Sequence, residues 1–301
     1  MRLVRAETIT DSNMTSSVAE TEAAWASGTT YASGAVVRRT VDGVHRRFTS
    51  VQNSNTGHDP ATDATGTWWT DEGPTNRWNM FDQAIQTQTT DTDSIEISVE
   101  LAATSRADTV AVLNVSATAA QVTVEDPVEG VVYDESFSLV SPSGITDWYA
   151  YFYEPIARVR DLVITDVPPY AGATVTVALT ESGATVACGA LVVGFSKRLG
   201  DTQYGAQVGI IDYSRKSADD FGNYVITERA YAKKASFPVM VPRGAVDEVA
   251  NLLADFRATP ALYIGSDQYG ATAIWGFYRD WSTVIAYPDR SLLSIELEGL
   301  S

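Results

Sequence analysis

A chain of 301 residues with a single cysteine, Cys188, can build neither an internal disulfide nor a thiolate zinc site. The small and apolar neighbours in "VACGALVVG" make Cys188 a buried small hydrophobe by expectation. Histidine is almost as scarce. Only His45 and His58 are present, so a Ser or Cys nucleophile would have one of two basic partners, and both lie in turn-rich stretches, "DGVHRRF" and "NTGHDP". Both are expected at the surface. No H-E-x-x-H, G-x-S-x-G, Walker or dinucleotide glycine pattern occurs. Positive charge is short as well. With 21 basic against 38 acidic residues, the net charge of −17 repels a phosphate backbone and excludes nucleic acid as the main partner. No apolar run approaches the roughly 20 residues of a spanning helix, so membrane insertion is not expected. The opening "MRLVRAETITDSNMTSS" has no apolar h-region, which points to synthesis and assembly in the cytoplasm.

What is present is a mainly β pattern. Hydrophobic residues make up 45% and charged residues 20%, enough to fold more than one compact unit at this length. Residues 1–24 are polar, with only "RLVRAETIT" able to form a strand, and read as an arm docking on something else, another subunit being one option. Residues 25–75 form a small module with few aliphatics. Trp25, Tyr31, Phe48, Trp68 and Trp69 lie among Gly, Thr and Asp, so aromatic rings must hold it together, and "DEGPTNRWNMFD" follows as a linker carrying Trp78.

From Ile95 the chain alternates strictly: Ile95, Ile97, Val99 and Leu101 point one way and Glu96, Ser98 and Glu100 the other. Similar segments recur at "TVAVLNV", "QVTVED", "VVYDESFSLV", "DWYAYFY", "ARVRDLVIT", "ATVTVAL" and "VACGALVVG", predicting a β-sandwich or jelly roll over residues 76–195. Residues 196–301 read as an α+β unit: a loop-rich passage, then strands, and one amphipathic helix with Val246, Val249, Ala250, Leu253 and Phe256 on one face, stopped at Pro260.

No paired carboxylates stand out as a glycosidase site, because Asp91, Asp93, Asp219 and Asp220 read as turn residues and Glu96 and Glu100 as outward strand positions. The "DTDS" run at 91–94 lacks the rest of a calcium loop. No metal, no cofactor and no catalytic residue are expected. "DYSRKSADDFG" at 212–222 reads as a charged loop, either a subunit contact or simply solvated. "DWYAYFYEP", with Trp148, Tyr149, Tyr151, Phe152 and Tyr153, reads as a strand with one face covered by a neighbour.

The spacing of Trp25, Tyr31, Gly34 and Val37, then Phe48, "GHDP" at 57–60 and Trp68, resembles the small carbohydrate-binding modules of families 5 and 12. That resemblance implies scaffold roles for Trp25, Tyr31 and Trp68. Where chitin-binding members carry a tandem aromatic platform this chain has Ser50, Val51 and Gln52, which leaves Trp69 as the candidate stacking ring, followed by Tyr31 and Phe48; a half-buried scaffold role for Trp69 is the alternative. Across nearly the whole length, "WWTDEGPTNRWNMFDQAIQTQTT", "DWYAYFYEPI", "LGDTQYGAQVGIIDYSRK", "RATPALYIG" and "YPDRSLLSIELEGL" resemble a family of tailed-bacteriophage and prophage virion proteins. The resemblance implies a tail-tip or baseplate component of the virion, assembled in the bacterial cytoplasm as a homo-oligomer around the tail axis in contact with other tail proteins. It also leaves room for a displayed module that binds a host surface glycan. Two readings compete with it: a soluble protein recognising host polysaccharide, and a glycan-degrading enzyme, for which the chain shows no carboxylate pair.

Overall fold

The computed structural model describes residues 1–141, 147–153, 157–218 and 222–300. The chain is mainly β and sandwich-like, as the alternating patterns predict, with antiparallel pairing throughout the named strands. Among the described residues two sheets dominate. The larger has ten strands, in the order Leu162–Ile164, Thr109–Leu113, Ala190–Arg198, Arg2–Ala6, Ala261–Ile264, Ala273–Val284, Arg290–Gly299 and Tyr231–Pro242. Asp201–Thr202 and Gln207–Asp212 then pair with successive parts of the outer side of Tyr231–Pro242. The smaller sheet has five, in the order Gly130–Ser138, Ala119–Asp126, Thr174–Cys188, Thr89–Glu100 and Met14–Ser16.

The period-2 rule explains how the sheets stack. Ile95, Ile97, Val99 and Leu101 are buried with Val122, Val124, Val175, Val177 and Leu179 against Val110, Val112, Leu191 and Val193 of the larger sheet, forming the sandwich core. Further along the same face of the larger sheet, Leu3, Tyr263, Ile274, Phe237, Val239, Leu293 and Ile295 are covered by the helix Val246–Asp255. Val249 and Leu253 of that helix, and Phe256 just beyond it, are buried as the helical spacing predicts, while Val246 and Ala250 are half-buried. The opposite face of the larger sheet holds Val4, Ala111, Ala190, Val192, Leu262, Ile264 and Ala273. This face is rich in alanine, and small side chains let the sheet curl inward on itself. The curl closes through an ion pair between Lys233 and Asp161, whose carboxylate also accepts from the Asn114 N–H at 3.0 Å.

Three expectations about organisation need correction. Residues 1–24 are no free arm: Arg2–Ala6 is an interior strand, paired on both sides, and Leu3 and Val4 bury one on each face. Met14–Ser16 likewise pairs with Val99, Ser98 and Ile97 at the edge of the smaller sheet. A boundary at residue 195 does not divide the molecule, because Ala190–Arg198 runs through it as one strand of the shared sheet. The reason is that apolar alternation reports which residues face a core but not which strand lies beside which. The linker "DEGPTNRWNMFD" is also structured, forming strand Trp69–Pro74 and the 3-10 helix Asn76–Phe81, whose Trp78 and Met80 plug the sandwich core.

Local readings change too. "DWYAYFY" forms a short helix, Trp148–Tyr153, with Trp148, Tyr149, Phe152 and Tyr153 exposed, rather than a strand. The passage after residue 198, read as loop, contains strands Gln207–Asp212 and Arg215–Ala218, the latter in a hairpin with Tyr224–Thr227. Asp91 and Asp93 lie in strand Thr89–Glu100, and Asp93 accepts the Gly183 N–H at 2.6 Å across a register shift. Asp219 and Asp220 lie outside the described residues. Cys188 is buried, and burial pushes its thiol up to about 12. Among the described residues no helix is long and apolar enough to cross a membrane.

Candidate functional site

The aromatic module is built on strands Val36–Val41, Val44–Ser50 and Trp69–Pro74. Asp42 and Gly43, both at positive φ (51° and 81°), make the two-residue turn between the first two, the geometry that Asp-Gly favours in hairpins. Its core is Val37, Phe48 and Trp69, with Trp25, Tyr31, Val41 and Trp68 packed around them.

Trp69 is 1% exposed, which corrects the expectation of a free stacking ring. Its indole N–H donates to the His58 carbonyl at 2.8 Å, and Tyr31 meets its ring edge-on at 5.2 Å between centroids. Phe48 is buried beside it, so it too is removed from the surface. Tyr31 is half-buried, and its hydroxyl accepts the Ala26 N–H at 2.8 Å. Trp25 and Trp68, the expected scaffold rings, are half-buried. The Arg39 guanidinium lies 5.3 Å from the Trp25 ring centroid, and His58 stacks on Trp68 at 3.7 Å with the planes 9° apart.

The local cause is Asp63. Its carboxylate accepts the backbone N–H groups of Trp68 at 2.7 Å and Trp69 at 2.8 Å, and that of Thr67 at 3.2 Å. Burial pushes this carboxyl up, but the three amides outweigh it and hold the group below the usual carboxylate range. The clamp fixes the strand entry so that Trp69 points inward and Trp68 lies under His58. The rest of "GHDP" is structural as well: Asp59 caps the 3-10 turn Pro60–Thr62 and forms a two-point ion pair with Arg39 at 3.0 and 2.8 Å. The hydrogen bonds from Arg39 hold Asp59 below its ordinary value.

His45 is 7% exposed, not a surface residue. Its Nδ1 lies 2.5 Å from Glu20 Oε1, its Nε2 3.3 Å from Asp11 Oδ2, and its ring tilts on Trp78. Together with Asp11 N–H donating to the Gly43 carbonyl at 2.8 Å, this fastens the module's hairpin to the body. Nearby, burial raises the Asp82 carboxyl to about 6, against the Ala84 N–H and Arg46, which favour its charged form.

Every ring of the module that sequence nominated is therefore engaged in holding the module together. No family model and no curated protein matches this chain. Surfaces that sequence reasoning passed over stand out instead. Strand Gln207–Asp212 exposes Val208 and Ile210, and the hairpin from Arg215–Ala218 to Tyr224–Thr227 exposes Tyr224, Val225 and Ile226, the last at 66%. The signal was there in the apolar run "VGII", but charges and glycines around it make the passage read as loop, whereas "VITERAYA" reads as a strand and Tyr224–Thr227 forms one there.

Edge strands normally carry charge that blocks pairing with another chain. Gly130–Ser138, at the edge of the smaller sheet, does so with Asp134 and Glu135. From Gln207 to Ile211 the larger sheet's outer strand carries no charge. Among the described residues no group of three or more His, Cys, Asp or Glu side chains is placed to hold a metal ion.

Proposed function

We propose that this chain is a structural subunit that works by assembly, as a component of a bacteriophage tail tip or baseplate that packs with copies of itself and with other tail proteins in the virion. The observation that supports this reading is the outer strand Gln207–Asp212, uncharged from Gln207 to Ile211, continued by a hairpin with Val225 and Ile226 exposed. A two-stranded ribbon is marginal by itself, and aliphatic side chains on it gain stability only when another surface covers them. The resemblance of the chain's longer motifs to tail proteins supplies the biological setting. Recognition of host polysaccharide through Trp69 draws no support from a ring so deeply packed.

The test is the mass of the purified protein in solution by light scattering, for the wild type and for Ile210→Asp and Ile226→Asp. Assembly predicts an oligomer in the wild type and a shift towards monomer in both variants, with circular dichroism unchanged. A wild type that stays monomeric at every concentration, alone and with the neighbouring tail proteins, would overturn it.

A further inference from the structure

A groove of about 940 Å³ lies where the strand ends near Arg198 and Ile264 meet the loops 203–206 and 265–272. Its size falls within the range of ligand sites, and none of the aromatic module's core rings lines it. Two tyrosines rise from its two loops: Tyr204, wholly exposed, and Tyr269, exposed.

The loops that carry them are fixed. Thr202 Oγ1 donates to the Gly265 carbonyl at 2.5 Å, tying one wall to the other. Buried Thr272 holds the second loop together, its hydroxyl accepting the Ser266 N–H at 3.0 Å and donating to the Tyr269 carbonyl at 2.7 Å. On the first loop the Gln203 N–H donates to the Pro238 carbonyl at 2.8 Å. The rings are thus presented by a built frame, with no packing of their own to do.

The side-chain charges of the groove cancel, and the Met1 amine on its wall is buried, donates to the Gly200 carbonyl at 2.6 Å and is shifted by that burial towards its neutral form. The groove's charged side chains are Arg2 paired with Asp267 at 3.3 Å and Arg198 paired with Asp201. In a chain of net charge −17, such a balance disfavours both anions and cations as ligands. Each pair sets a guanidinium donor beside a carboxylate acceptor, the complement of neighbouring hydroxyls, which donate and accept at once. Gln203 and Gln268 add amides of the same double character. Tyrosine faces are suited to the apolar C–H face of a sugar ring, and the wall interleaves Met1, Val208 and Ile264 with Thr202, Gln203, Ser266 and Gln268, polar groups that a lipid chain would leave unpaired.

We infer that this groove binds a neutral saccharide, with Tyr204 and Tyr269 stacking on sugar rings and the two Arg–Asp pairs taking hydroxyls. The groove and not assembly carries the inference, although Val208 of strand Gln207–Asp212 also lines the groove, and saccharide binding is read separately from the light-scattering mass. The test is saturation-transfer NMR on the full chain with maltotriose, cellotriose, chitotriose and mannotriose, beside a sulfated trisaccharide as the anionic probe. At least one neutral probe binds, and the Tyr204→Ala/Tyr269→Ala double variant binds it at least about tenfold more weakly with its melting temperature unchanged, as removal of exposed anchor rings requires. Absence of binding to every neutral probe, preference for the sulfated probe, or undiminished binding by the double variant would each overturn the inference.

Discussion

Asp63 shows how much one carboxylate can decide. It collects three backbone N–H groups in the turn before Trp69, and removing this half-buried acceptor leaves the part-buried N–H groups of Trp68 and Trp69 without their partner. Asp63→Ala should cost about 1–3 kcal/mol, read by urea denaturation with tryptophan fluorescence, and Asp63→Asn should recover part of that because an amide oxygen still accepts. Asp82 makes a prediction of opposite sense in pH. Its folded-state value of about 6 lies above the 3.8 of an ordinary aspartate, so its contribution to stability is full below about pH 4 and is lost as pH rises through 6. Asp82→Asn should therefore raise the melting temperature at pH 7.5 relative to wild type and remove that part of the difference between pH 4.5 and 7.5. An unchanged pH profile in the variant would show that Asp82 is not the group responsible. At this scale the sequence identified the residue types of the module but not their directions. Adjacent tryptophans in a strand face opposite ways, and which one turns inward depends on the pairing of Ser50 with Trp69 and on the Asp63 clamp.

Elements were legible where a single face is buried. Ile95 to Leu101 and the helix from Val246 to Asp255 carry the periodicities of 2 and 3.6 that their environments impose, and both form as read. The aromatic helix Trp148–Tyr153 was misread because Trp, Tyr and Phe favour strands as isolated residues, while four exposed rings at positions 148, 149, 152 and 153 share one side of a helix. Close strand packing sets a further constraint. In Ala190–Arg198 a Cβ added at Gly194 would lie 2.1 Å from the Arg5 carbonyl oxygen and 3.0 Å from a Val4 methyl, both on the neighbouring strand. Gly194→Ala should destabilise the protein by about 1–3 kcal/mol through that overlap, measured as a lower denaturation midpoint, with the effect absent at Gly28, where a methyl meets nothing.

For the whole molecule, strand order was the least legible property, since no local pattern announces that residues 2–6 belong between residues 190–198 and 261–264. The same holds for the groove, whose two tyrosines come from loops more than sixty positions apart. Charge bears on assembly at this scale. Copies each carrying −17 repel one another, so an interface made of Val208, Ile210, Val225 and Ile226 should strengthen as salt screens that repulsion, with the light-scattering mass rising from low to physiological ionic strength. An assembly that dissolves in salt would place ionic contacts, and not these apolar strands, at the interface.

The position of Arg2–Ala6 also sets a timetable for synthesis. The strand leaves the ribosome early, yet one of its neighbours is completed only at Arg198 and the other only at Ile264. At translation rates of about 5–20 residues per second the wait is on the order of ten to fifty seconds, during which Leu3 and Val4 have no sheet to enter. The sandwich core and the aromatic module can form in that interval from segments already made, but the curled sheet cannot close until residues 261–264 have emerged, and the nascent protein spends that time with strand Arg2–Ala6 unpaired and open to other chains.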